Sequence, residues 1–174
     1  LGLDPKSGNL VEGIEAQAVL VANGDASGTV DTSQYFAIVA REGSGIVEGD
    51  LKSLRGKKIG ATVGTIGHQY LFYTLQDAGL DPQADVTVQN VSPPDLVSAL
   101  QAGTVDAIVA WEPIPLIALK NVAGSYEVVR GGGAIQYLYA RWMSPRFLEK
   151  KPEAAKLFVE AYLDRRLSAA GRVF

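Results

Sequence analysis

The chain has 174 residues, 47% of them hydrophobic and 20% charged, with no cysteine and a formal net charge of −3. That length and apolar content suit one globular domain or two small lobes with a real core, and they exclude a disordered chain. Without cysteine there is no disulfide, thiolate zinc site or cysteine nucleophile, and the single histidine, His68, excludes a multi-histidine centre, so neither metal nor cofactor is expected.

A pI near 5.2 argues against a nucleic-acid surface. The Lys57-Lys58 and Lys150-Lys151 pairs read as solvated ends of elements. No stretch reaches the roughly 18 apolar residues that a membrane span needs. The first residues, Leu1-Gly2-Leu3-Asp4, show neither an initiator Met nor a signal-peptide pattern, so the chain reads as processed, trimmed or partial.

Residues 14–22 alternate and then become wholly apolar, which suits a strand entering a core, and the turn formers of 23–28 follow as a loop. Residues 35–40 form a second apolar run. Asp50 to Leu54 can make one helical turn before Gly56. A strand is expected over 58–63, then a helix with Leu71, Leu75 and Ala78 at helical spacing, stopped by Gly79 and Pro82. A second strand over 85–91 leads through Ser92-Pro93-Pro94-Asp95 into a helix that ends at Gly103. A third, over 105–110, leads through Glu112-Pro113 into a helix running to about Val122. Residues 126–129 can add an edge strand, and 134–142 read as a long strand. Two helices open at Ser144-Pro145 and Lys151-Pro152, the second with Leu157, Phe158, Ala161 and Tyr162 on one face. Three successive strand–helix units predict an α/β fold with a mostly parallel sheet flanked by helices.

In such sheets ligands bind beyond the carboxyl ends of the strands. Those ends carry Gly64-Thr65, Ser92 and Trp111-Glu112, each just before a helix whose free N–H groups and positive end favour an anion. Gly64 allows close backbone approach. Thr65 either caps its helix or offers a hydroxyl to the ligand. Gly64-Thr65-Ile66-Gly67-His68 is neither a P-loop nor a dinucleotide fingerprint. His68 either reaches the ligand or packs at the surface, and it has no Ser-His-Asp partnership in sequence. Trp111 and Glu112 either stack on and orient a small organic solute, or plug the core and cap the helix. Asp106 reads as a structural cap or pair. Asp25 and Ser27 sit in a Gly-rich loop that can face the crevice. Arg141 is either a cation for the site or a solvated strand residue.

Residues 50–60, DLKSLRGKKIG, resemble the start of the second lobe in periplasmic solute-binding proteins. The segments 64–68, 100–107 and Trp111-Glu112-Pro113 fit the same group, best its sulfonate/nitrate/taurine type (NMT1-like), and 147–153 resemble that family's return to the first lobe. The resemblance implies a type II periplasmic binding protein fold, with a complete second lobe and a partial first. Residues 1–40 would hold part of lobe one and a first hinge crossing at 35–39. Residues 41–133 would form lobe two, and 134–174 a return crossing around 137–140 with the C-terminal helices.

It further implies an extracytoplasmic receptor of an ABC importer, periplasmic or extracellular. Its partners would be a small anionic or zwitterionic solute and a transporter permease, with no nucleic acid. The membrane would be reached only through the transporter or a lipid anchor. On this resemblance Gly64, Thr65 and His68 match the anion-facing turn, and Trp111 and Glu112 an aromatic–acid pair on the cleft wall. Glu112 favours a solute that carries an amine or another donor. No catalysis is expected. The rival classes are an enzyme on the same scaffold, a pyrimidine-precursor synthase or a sulfinate desulfinase that would need a cysteine, and a LysR-type effector domain.

Overall fold

The computed structural model describes residues 17–23, 31–135 and 138–170. The chain folds into two units, Leu1–Ala26 with Leu138–Phe174, and Ser27–Tyr137. In the first, β1 (Gln17–Asn23) pairs antiparallel with β7 (Leu138–Met143), with an irregularity between Ala18 and Leu20. Helices α4 (Pro145–Lys150) and α5 (Pro152–Ala170) follow. Ser144 opens α4 by accepting from the Phe147 N–H, the cap its sequence promises. The face of α5 read as apolar is largely in solvent within this unit: Leu157 is 63% and Phe158 47% exposed.

The second unit is a five-stranded sheet in the order β4-β3-β5-β2-β6. Its strands are β2 (Phe36–Ala40), β3 (Lys58–Ala61), β4 (Thr87–Asn90), β5 (Ala107–Trp111) and β6 (Tyr126–Arg130). Pairings of β3 with β4 and β5 are parallel, whereas β2 runs antiparallel to both β5 and β6. Four strands thus point one way and β2 alone the other, so the sheet is mixed.

Helices cover both faces. Phe36, Ile38, Ala107 and Val109 pack on one side with Tyr70, Leu71 and Leu75 of α1 (Ile66–Asp77). Ala37, Val39, Ile108 and Ala110 pack on the other with Leu96 and Leu100 of α2 (Leu96–Gln101) and Ala118 of α3 (Ile114–Asn121). The period of two along β2 and β5 sends alternate residues to opposite cores, which is why both strands are apolar throughout.

Several expectations change here. Most of the run 35–39, expected as a hinge crossing, falls in β2, whose neighbours in the sheet are β5 and β6. An apolar run that will be buried on both faces has the same pattern wherever it pairs, so its sequence does not reveal its neighbours. The long strand expected over 134–142 is instead β7, which begins at Leu138 and belongs to the other sheet; Gly133 to Ile135 are not in a strand. Residues 136 and 137 lie outside the described part.

Tyr70 joins the helical layer to the end of β6. Its ring stacks on Phe36 with centroids 5.5 Å apart, and its hydroxyl donates to the Gly131 carbonyl at 2.9 Å. Burial pushes the phenol up from 10.0 to about 12, because the phenolate would lose its water. The folded state therefore retains this proton where the unfolded chain releases it. The associated stability is whole below pH 10 and is lost as pH rises through about 12. An alkaline absorbance titration should show one of the 7 tyrosines ionising last. Tyr70→Phe should remove that step and lower stability by about 1 kcal/mol, since a buried carbonyl loses its donor; an unchanged titration would contradict the assignment.

Candidate functional site

The β3–α1 turn is built on Gly64, whose φ of +83° places it in the left-handed region that favours glycine. A Cβ there would meet nothing within 4 Å, so the requirement is one of backbone conformation and the space beside it is open. Thr65 sits at the N-cap position of α1 but makes no side-chain capping bond. Its hydroxyl donates to the Thr62 carbonyl at 2.7 Å instead. This corrects the capping reading of Thr65: the side chain bonds back to the preceding turn and not forward to the helix. The first-turn N–H groups of α1 are left without a cap from Thr65, and these are the donors an anion would use.

Trp111, the last residue of β5, lies over that first turn. A Cβ at Gly67 would come 3.3 Å from its ring, so the glycine makes the seat for the indole. Trp111 is half-buried and packs against the core that contains Phe36 and Tyr70. It therefore closes the core and presents a remaining edge at the strand ends. His68 is half-buried, and its Nδ1 stands 3.5 Å from the Gly64 N–H. Together with Gly64, Thr65, Gln69, Phe72 and Tyr73 it lines an open depression of about 360 Å³. Trp111, Glu112 and Ser92 are not among its walls. The turn thus has two sides, one toward Trp111 through Gly67 and one toward Phe72 through His68.

Ser92 is exposed, and its hydroxyl donates to the Asp95 carboxylate of the following turn while its carbonyl accepts the Asp95 N–H at 3.0 Å. Its proton is committed locally. Asp106 lies at the opposite end of β5, paired with Arg41 at 2.7 Å and accepting the Lys58 N–H at 3.0 Å, so its role is structural. Asp25 and Ser27 lie outside the described residues, as does the side chain of Arg141.

Glu112 differs most from expectation. Its Oε1 is 2.6 Å from Nη1 of Arg130, the final residue of β6, and its Oε2 accepts only a long 3.4 Å bond from the Leu116 N–H. The same guanidinium binds Oε2 of Glu127 at 2.6 Å and the Gln34 carbonyl at 3.1 Å. The Leu116 bond is a weak form of the helix-capping role expected for Glu112, and the ion pair with Arg130 is an added partner that its sequence position does not show. Arg130 is the residue that sequence reasoning missed. Its signal is a charged residue that closes an apolar strand directly before Gly131-Gly132-Gly133.

The segment leading into β2 completes this edge. Asp31 accepts from the Ser33 N–H at 2.9 Å and from its hydroxyl, while Ser33 Oγ accepts the Gly133 N–H at 2.9 Å. Gly131 has a φ of +65°, in the left-handed region, and a Cβ there would also displace the Gln34 amide. Among the described residues no cluster of three or more His, Asp or Glu side chains could hold a metal ion.

The profile of the NMT1-like family matches residues 4–166. The chain belongs to that family. The taurine-binding periplasmic protein of Escherichia coli strain K12 is 27% identical over 116 residues, which is 65% of this chain and 35% of that protein. The periplasmic aliphatic sulphonate binding protein SsuA from Escherichia coli superposes with a TM-score of 0.67 at 24% identity, covering 87% of this chain and 47% of that one. A cysteine-to-serine mutant of DszB in complex with biphenyl-2-sulfinic acid matches with a TM-score of 0.63 at 17% identity, over 89% of this chain and 56% of that one. The fold is that of the type II periplasmic binding proteins. This family chain spans about a third of the length of the taurine-binding relative.

Asp31 supplies a test of this edge. Burial alone would raise its carboxyl, but the Ser33, Gln34 and Gly133 donors outweigh that and hold it below its ordinary value of 3.8. A lowered value means that its contribution is present above pH 3.8 and disappears as acid titrates the folded form. Asp31→Ala should cost about 0.5–2 kcal/mol at neutral pH, as for other lost caps. In urea unfolding the gap between variant and parent should narrow at pH 3; a gap of constant size would show that the charge plays no part.

Proposed function

We propose that this chain is the solute-capturing part of a receptor that works outside the cytoplasmic membrane and delivers a small anionic or zwitterionic organic solute, such as a sulfonate, to an ABC-importer permease. Family membership supports the receptor class, and the taurine-binding relative supports the solute class. The observation that carries the reading is the uncapped first turn of α1 behind Gly64 with the Trp111 ring laid across Gly67. Backbone N–H groups at the positive end of a helix hold an anionic head, and an aromatic edge covers its organic part.

In this reading the chain binds its solute without converting it. It contains no cysteine for a sulfinate-cleaving nucleophile, and His68 Nδ1 faces a backbone N–H rather than a carboxylate. DszB shares the fold, and at 17% identity nothing of its chemistry transfers. No helix among the described residues is long and apolar enough to cross a membrane. Contact with the membrane would run through the transporter or a lipid anchor.

The chain's two tryptophans make the reading testable. Calorimetry of the native protein with taurine and short alkanesulfonates should show saturable binding. The accompanying fluorescence change should vanish in Trp111→Phe and persist in Trp142→Phe. Trp111→Ala should weaken binding by about 1–2 kcal/mol, the value of a partly buried aromatic contact. Gly64→Ala should weaken it through backbone strain of about 1–2 kcal/mol at the left-handed position, since the side chain itself meets open space. Undiminished affinity in both Trp111→Ala and Gly64→Ala would move the site elsewhere.

A further inference from the structure

We propose that Arg130 sets the charge preference of the solute site by controlling how much negative charge Glu112 presents. The inference rests on the receptor reading and adds a residue to it that neither the motif pattern nor the family resemblance marks. Glu112, Arg130 and Glu127 form a chain of ion pairs, with Arg130 Nε at 2.6 Å from Glu127 and Nη1 at 2.6 Å from Glu112. Two carboxylates share one guanidinium, so the group carries a formal charge of about −1. All three side chains are partly exposed, between 27% and 34%, so a solute at the strand ends senses this charge.

The arrangement leaves one acceptor in reserve. Glu112 Oε1 is committed to Arg130, whereas Oε2 has only the 3.4 Å contact to the Leu116 N–H. Glu112 directly follows Trp111, and its own N–H is anchored to the Tyr35 carbonyl at 2.8 Å, which fixes its backbone at the carboxyl end of β5. An ammonium or other donor on the solute would meet Oε2. How strongly it is rewarded depends on the share of Arg130 that Glu112 receives. Glu127 competes for that share, so it acts as the counterweight. Removing Arg130 leaves two uncompensated carboxylates, and removing the charge of Glu127 gives Arg130 wholly to Glu112.

The probes are taurine and 2-hydroxyethanesulfonate, which share a sulfonate and a two-carbon spacer and differ in carrying an ammonium or a hydroxyl. Calorimetry on the native protein, Arg130→Met and Glu127→Gln yields one preference ratio for each. The preference for taurine should rise about tenfold in Arg130→Met and fall about tenfold in Glu127→Gln, the scale expected for a unit charge acting over several ångströms at a protein surface. Glu112→Gln added to Arg130→Met should cancel the rise. Thermal unfolding identifies any variant that does not fold, and the two substitutions act in opposite directions, so either alone decides. Binding with the same ratio in every folded variant overturns the role of Arg130 and leaves the receptor reading intact. Absence of binding of both probes to the parent protein overturns the sulfonate-receptor reading and this assignment together.

Discussion

The strand Phe36–Ala40 runs against both of its neighbours inside the sheet, and the make-up of the candidate site follows from that reversal. In a wholly parallel sheet the incoming chain arrives at the edge opposite the ligand. Here β2 begins beside the end of β5, with Phe36 opposite Trp111, and finishes beside its start, with Ala40 opposite Ala107. The segment 31–35 is thereby delivered to the edge where α1, α2 and α3 begin. β6 ends at the same edge, with Arg130 opposite Ala37. The sheet's topology thus brings Gln34, Tyr35 and Arg130 to residues that the strand–helix units already place at that edge.

Local signals in the sequence carry the strand–helix units because each is punctuated within a few residues. Gly56, Gly79 and Gly103 have φ of +75°, +73° and +71°, so the stops read from sequence are positions where a left-handed residue ends a turn or helix. The position of Trp111 at the end of an apolar run, two residues before Pro113, is legible for the same reason. What lay beyond reach depends on partners distant in sequence. The β2–β5 pairing joins residues some seventy positions apart, and an all-apolar strand carries no mark of its direction. Arg130 acquires its meaning only when the sheet brings Glu112 and Gln34 to it. Thr65 fails in a different way. As an N-cap residue it can bond forward to the helix or back to the preceding turn, and the choice of the Thr62 carbonyl is a matter of rotamer geometry that sequence does not encode.

Two ion pairs stand at the two ends of the β2–β5 ladder, and their difference separates scaffold from site. At the far end Arg41 holds Asp106 at 2.7 Å, and the Arg41 Nε also donates to the Val105 carbonyl at 3.2 Å. The second oxygen of Asp106 takes the Lys58 N–H at 3.0 Å, so both carboxylate oxygens have short partners and the pair seals β2, β3 and β5 together. At the near end Glu112 and Arg130 reach each other across the start of β2, but Glu112 Oε2 has only a 3.4 Å contact, beyond the usual range for a strong bond to nitrogen. Partly exposed ion pairs contribute little to stability, about 0–1 kcal/mol each, so the Glu112–Arg130 pair is not well explained by stability alone. The saturated pair fixes strand register where no ligand is expected. The unsaturated one leaves an acceptor with one long partner at the end of the sheet where β5 closes with Trp111 and α3 begins, and a solute with a donor group would complete it.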